Sequence, residues 1–343
     1  MNLLITGGCG FIGSNFIRSV ISKNFNILNI DKLTYAANLS NLDGLTGKSQ
    51  YSFIKGDICD ENFIKSIFEK FKPSYVINFA AESHVDNSIK NSKDFIQSNI
   101  IGTFNLLEQS RFYYFSLNEN EKSKFKFHQI STDEVFGDMD KELFHENSLY
   151  QPSSPYSASK ASADHLVRAW SRTYKLPTLI TNCSNNFGPY QFPEKFIPVV
   201  IISALNEKKI PIYGDGGQIR DWIYVLDHCD ALMHCIANGK NGETYNIGSS
   251  NQFSNLELAK KICEIMDELQ PRNNSKSYLE LIHFVNDRPG HDRQYGINND
   301  KAIRELNWNP RTNFIDDLRY TIQWYIDHQS WWDKLLIKKN YEK

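Results

Sequence analysis

Short runs of β-branched and aromatic residues alternate with amphipathic stretches through the first half of the chain. Residues 2–6, 25–30, 51–55, 75–79, 125–131 and 178–183 read as strands. Between them, the apolar positions of 13–22, 61–71, 98–115 and 156–174 recur at helical spacing. Strand, helix, strand, repeated this often, predicts an α/β protein with a doubly wound parallel sheet, because parallel neighbours need crossovers and the crossovers cover both faces. Ligands of such sheets sit beyond the carboxyl ends of the strands. After about residue 182 the rhythm breaks into loop-rich stretches such as Gly188-Pro189 and Gly214-Asp215-Gly216-Gly217, with short strand candidates at 210–213, 222–225 and 244–247. This pattern predicts a smaller C-terminal lobe. The first domain is expected at 1–181, with returning segments near 219–250 and 311–328, and the second lobe at 182–218 and 251–310. Residues 314–328 have helical periodicity, 118–126 read as a polar surface excursion, and 338–343 as a frayed, solvated end.

Composition narrows the partner. The 343 residues include 38 basic and 40 acidic ones without long blocks, a formal charge of −2 that argues against nucleic acid and membrane surfaces and for a small molecule. The first residues lack the apolar core of a signal peptide, and no apolar run approaches the roughly 18 residues of a membrane span. A soluble, cytoplasmic protein is the expectation. Six cysteines form no CxxC pair, so they read as buried thiols, and nine histidines show no ligand spacing, so no metal is expected.

The strongest local signal is Thr6-Gly7-Gly8-Cys9-Gly10-Phe11-Ile12-Gly13, which follows the first strand and opens a helix. In that context Gly7, Gly10 and Gly13 permit a tight turn and close approach of backbone to a pyrophosphate, with the helix N-terminus supplying amides. Asp31 ends the second strand where a ribose-binding acid belongs, and its charge would repel a 2′-phosphate, which favours NAD over NADP. Asp57 and Ile58 follow the third strand and suit an adenine, although Asp57 also reads as a helix N-cap. Ala80 and Ala81 end the fourth strand with small side chains.

The second signal is Tyr156 with Lys160, spaced i, i+4 on a helix so that both side chains share a face. A phenol titrates near pH 10, too high for a base at neutral pH, and a neighbouring ammonium stabilises the phenolate. With the glycine turn, the pair resembles the extended short-chain dehydrogenase/reductases, enzymes on a Rossmann sheet. Thr132-Asp133-Glu134, together with Ala80-Ala81-Glu82-Ser83-His84-Val85-Asp86 and Arg288-Pro289-Gly290-His291-Asp292-Arg293, is similar to the nucleotide-sugar dehydratases of that superfamily, specifically the bacterial dTDP-glucose 4,6-dehydratases of dTDP-rhamnose and surface-polysaccharide synthesis.

The resemblance covers about residues 1–332 and implies roles for particular positions. Tyr156, assisted by Lys160, takes the C4 hydroxyl proton as hydride passes to NAD, and Thr132 bonds that hydroxyl. Glu134 removes the C5 proton, Asp133 protonates the departing C6 hydroxyl, and the hydride returns to C6. Phe11, Ile12, Lys32, Thr34, Ser83 and Asn99 join the cofactor residues, while Ser83, His84, Asn185, Lys195, Arg220, Asn255, Arg288 and His291 join Thr132 around the nucleotide sugar. Cys9, Phe136, Asn87 and Leu226 depart from the family pattern, where Ala, Tyr, Arg and Glu are frequent. Competing readings are a dehydratase for UDP-glucose or another nucleotide sugar, a nucleotide-sugar 4-epimerase, and a non-catalytic dinucleotide sensor. Relatives pair through two long helices, which here predicts a homodimer with Phe112, Tyr113, Leu166 and Trp170 on the outer faces.

Overall fold

A computed structural model of the chain describes residues 1–45, 47–139, 142–311 and 313–341. Six strands arise in the first half: β1 (Asn2–Thr6), β2 (Asn26–Asp31), β3 (Tyr51–Lys55), β4 (Tyr75–Asn78), β5 (Lys126–Thr132) and β6 (Thr178–Cys183). β7 (Asn185–Phe187), β8 (Ile210–Tyr213), β9 (Ile219–Tyr224), β10 (Thr244–Ile247), β11 (Gln252–Ser254) and β12 (Ile282–Val285) follow. Seven of them pair in the order β10-β6-β5-β4-β1-β2-β3, every neighbour parallel, which is the doubly wound sheet expected. The order reverses at β1, so a crevice opens between the loops after β1 and β4.

Alternation along β1 shows how the sheet is covered. Leu3 and Ile5 face a cluster with Phe16, Ile17 and Val20 of the helix Phe11–Val20. Leu4 faces Ile64, Phe68, Leu106 and Val167 from helices Glu61–Phe71, Gly102–Ser116 and Pro155–Tyr174 on the other side. The first cluster continues without a break into Ile197, Val200, Leu258 and Ile262, so the C-terminal part packs against the sheet rather than hanging from it. Two small sheets, β11-β9-β7 and β12-β8, complete that part.

The strand expected at 222–225 is β9, Ile219–Tyr224, the helix expected at 13–22 is Phe11–Val20, and three further differences are larger. The segment expected as one helix over 98–115 is the end of a π-helical turn, Ile96–Ile101, followed by the helix Gly102–Ser116, with a short helix Ser92–Phe95 before it. The excursion at 118–126 contains a helical turn, Glu119–Lys122, closed by a capping box between Asn118 and Glu121. Of the end expected to be frayed, residues 338–341 continue the helix Gln329–Tyr341, and residues 342 and 343 lie outside the described residues. All six cysteines are free and five are buried.

Candidate active site

The glycine turn is built by close packing. Gly7 has φ +70°, and a Cβ there would stand 2.6 Å from the Ala80 nitrogen, so only glycine lets the β1 and β4 loops meet. A Cβ on Gly13 would meet the Gly7 carbonyl at 2.6 Å, which seats the helix on the turn. Gly10 caps the helix Phe11–Val20 without a side-chain bond, leaving the first-turn amides to an anion. Gly7→Ala is expected to cost about 1–3 kcal/mol of stability, and NAD should raise the melting temperature of the variant less than that of the wild type; equal melting shifts would contradict this reading.

A cleft of about 290 Å³ runs from this turn to the end of β5, lined by Gly7, Gly10, Phe11, Ile12, Gly13, Asp31, Lys32, Thr34, Asp57, Ile58, Ala80, Ala81 and Ser83. These residues fit a dinucleotide: bare helix amides for a diphosphate, a carboxylate for a ribose and a buried Ile58 for a flat base. Asp31 already accepts the backbone amides of Cys9 at 3.0 Å and Leu33 at 2.8 Å, so its carboxylate is held rigidly at the strand end. Burial raises its pKa, opposed by those two bonds and by Lys32. Asp57 accepts the Cys59 amide at 2.9 Å, whereas the N-cap of the following helix is Asp60, which settles the alternative reading of Asp57. Asn99 does not line the cleft. Its side chain clasps the backbone of Glu82 at 2.9 and 3.0 Å and bonds Ser159 at 2.8 Å, bracing the wall from behind through the π-helical turn.

At the other end, β5 and β6 are in register so that Thr132 lies beside Cys183. Thr132 caps a 3-10 turn, Asp133–Phe136, by accepting the Glu134 amide at 3.3 Å. Gly137 ends that turn at φ +84°, where a Cβ would stand 2.2 Å from the Gln151 carbonyl oxygen. The turn therefore delivers Asp133 and Glu134 to the cleft with little freedom. Both line it together with Thr132, Tyr156 and Lys160. Helix Pro155–Tyr174 starts one residue before Tyr156 on a Ser154–Ser157 capping box, which fixes the rotational phase of Tyr156 and Lys160.

The two carboxyls sit in different fields. Burial, then Glu134 and Asp221, push the Asp133 carboxyl well above the usual range, and its Oδ2 is buried without a hydrogen-bond partner. Burial also raises Glu134, but Arg288, Arg220 and Lys195 act against it. Tyr156 is raised by burial, then by Glu134 and Cys183, and lowered by a hydrogen bond from Thr132. Lys160 donates to the Ile130 carbonyl at 2.7 Å.

The residues expected around a nucleotide sugar divide. Ser83, Asn185 and Lys195 line the cleft, and the Asn185 Oδ1 is a second buried acceptor without a partner. Lys195 donates to the Ser83 carbonyl at 2.9 Å. Arg220 lies deeper, held by the carbonyls of Ile219 at 2.7 Å and Asp292 at 2.9 Å and stacked 4.1 Å from the Tyr295 ring. Arg288 pairs with Asp86 at 3.0 Å, joining segments 202 residues apart, and His291 bonds Asp287 at 2.6 Å. His84 caps the helix Val85–Lys90 and faces Glu194 at 3.9 Å, while Asn255 opens the helix Asn255–Leu269. Arg220, Arg288, His291, His84 and Asn255 thus do not line the cleft. Sequence reasoning passed over Cys183, Gln191, Phe192 and Glu194, which do line it. Their signal was only adjacency to Lys195 and to the end of β6.

A glycine turn at the switch point of a parallel sheet, with Tyr156 and Lys160 on one helix face, defines a dinucleotide-dependent enzyme of the extended short-chain dehydrogenase/reductase type. The chain belongs to the family whose model is described as GDP-mannose 4,6 dehydratase, which matches residues 4–321. It is 50% identical to the dTDP-glucose 4,6-dehydratase of Salmonella typhimurium over 360 aligned positions, covering 100% of this chain and 99% of that one. The dTDP-glucose 4,6-dehydratase of Bacillus anthracis, solved in complex with NAD, superposes with a TM-score of 0.86 at 40% identity, covering 98% of this chain and 99% of that one. The Streptomyces venezuelae dTDP-glucose 4,6-dehydratase, solved with NAD and TYD bound, gives 0.89 at 36% identity over 98% of this chain and 100% of that one.

Proposed function

We propose that this chain converts dTDP-glucose to the 4-keto-6-deoxy sugar nucleotide and water, with NAD as its cofactor. The observation that carries the reading is the pair Asp133 and Glu134, delivered side by side into the cleft by one turn and held in unlike electrostatic surroundings. Two carboxyls whose pKa values are pushed apart serve as acid and base. An epimerase, which returns hydride to the carbon it left, has no use for them.

When bound, NAD supplies a hydride acceptor for C4 and a donor for C6, with no net consumption. The glycine turn, Asp31 and Lys32 are the residues that would hold it. Tyr156 accepts the proton of the C4 hydroxyl, and Thr132 orients that hydroxyl. The ketone formed at C4 acidifies C5. Glu134, raised by burial but with Arg288, Arg220 and Lys195 favouring its carboxylate, removes the C5 proton. Asp133, whose acid form is favoured by burial and then by Glu134 and Asp221, gives its proton to the C6 hydroxyl, and water departs. Lys195 and the two arginines bring positive charge toward the diphosphate, for which guanidinium geometry is suited. Parallel incubation with dTDP-glucose and UDP-glucose tests the assignment: a 4-keto product should form faster from dTDP-glucose, and no product from either would overturn it.

The division into a cofactor domain and a nucleotide-sugar lobe belongs to the same reading, as does a cytoplasmic location; no described helix is long and apolar enough to cross a membrane. A homodimer is proposed on a corrected surface. Tyr113, Leu166 and Trp170 pack inward against the second core cluster. The exposed stripe is instead Ile101, Phe104, Phe112 and Phe115 on one face of the helix Gly102–Ser116 and the turn before it. Exposed aromatic surface of this kind marks interfaces. In sedimentation, the wild type should run as a dimer and the double variant F112E/F115E as a monomer; a monomeric wild type would remove the proposal.

A further inference from the structure

Behind Lys160, one helical turn on, the Asp164 carboxylate is completely buried. Its Oδ2 accepts from Ser131 of β5 at 2.7 Å, from Tyr150 at 3.0 Å and from Asn182 of β6 at 3.5 Å. Tyr150 is in turn held by Arg168, which donates to its hydroxyl at 2.7 Å. The other oxygen, Oδ1, is buried with no hydrogen-bond partner. A buried carboxylate with three donors on one oxygen and none on the other is costly unless a charge faces it. The i, i+4 spacing puts Lys160 on that face of the helix. Neither the cofactor residues nor the proposed acid and base use Asp164.

Resting on the dehydratase reading, we propose that Asp164 is a positioning residue that holds Lys160 as an ammonium, and so sets the pH range over which Tyr156 can accept the C4 hydroxyl proton. The groups facing this set are few. Lys160 faces Asp164 and Cys183, Asp164 faces Lys160, Arg168 and Tyr150, and Tyr156 faces Glu134, Asp133 and Cys183. Burial drives the Lys160 ammonium toward its neutral form, and Asp164 is the foremost charge opposing that. Burial drives Asp164 toward its acid, and Lys160 is the foremost charge opposing that. Each charge opposes the neutralisation that burial imposes on the other.

Asp164→Asn keeps the size and an acceptor for Ser131 and Tyr150 but removes the charge. Lys160 then loses its ammonium at lower pH, the phenolate of Tyr156 loses its cationic neighbour, and the phenol holds its proton to higher pH. Direct loss of a negative charge near Tyr156 would act in the opposite direction, so the sign discriminates. The test is the pH profile of kcat/KM for dTDP-glucose in wild type, Asp164→Asn and Asp164→Glu. The acidic limb of Asp164→Asn should move up by about one pH unit, a tenfold loss below the midpoint, with recovery at high pH. Asp164→Glu should return part of the shift. A uniform loss at every pH, or a limb that stays or moves down, overturns the proposal. Should Asp164→Asn fail to fold, Tyr150→Phe removes one donor from the carboxylate and should move the limb the same way by less; an unmoved limb there overturns it equally. Wild-type turnover of dTDP-glucose reports separately on the dehydratase reading.

Discussion

Glu134→Gln should form product 10²–10⁴-fold more slowly than wild type, the range for loss of a positioned general base. The amide keeps the volume and the backbone bond to Thr132, so the turn Asp133–Phe136 should survive. What disappears is the acceptor for the C5 proton. In heavy water, wild type should place deuterium at C5 of the product, and the variant should show little exchange there even when substrate is saturating. The change also removes a negative charge that raises both Asp133 and Tyr156. Its loss favours ionisation of both, which helps Tyr156 as a base, while burial and Asp221 still raise Asp133 as an acid, so the deuterium exchange at C5 is the readout that isolates C5 chemistry. Unchanged turnover would sink the acid-base assignment.

Tyr156→Phe is the second large effect. The ring packs edge-on to Phe95 at 6.3 Å between centroids, and phenylalanine keeps that contact. Only the hydroxyl and its bond with Thr132 are lost. We expect kcat to fall 10²–10⁴-fold with little change in KM or melting temperature. The split matters, because a residue that merely lined the cleft would raise KM instead. A rise in KM at constant kcat would show that Tyr156 binds rather than reacts.

Local pattern carried much of this site, and its failures have physical causes. The glycine turn, the Thr132-Asp133-Glu134 turn and the Tyr156–Lys160 pair are each short, contiguous and tied to a strand end or helix start, so chain order alone places them. Strands such as β6 and β8 were legible to the residue because they are short runs rich in β-branched and apolar residues between turn signals. The π-helical turn Ile96–Ile101 was not, since a reading at 3.6 residues per turn treats it as ordinary helix. Asn99, within that turn, bonds the backbone of Glu82 and does not line the cleft. Contacts such as Arg288 with Asp86, and Tyr35 with Glu194 at 2.8 Å, join distant segments and leave no local trace. Which apolar side chains stay exposed was misjudged for a related reason: helical spacing shows that a face is apolar, not whether the rest of the core already covers it. Asp164 lies one turn beyond Lys160 in the same periodic pattern, yet only burial reveals that its charge faces inward.

The central claim is that hydride leaves C4 and returns to C6 of the same sugar, with elimination between the two transfers. It is tested most directly by supplying dTDP-glucose deuterated at C4 and locating the label in the product. The account predicts deuterium in the C6 methyl group of the 4-keto sugar. Deuterium retained at C4 would indicate an epimerase-like return, and would contradict it.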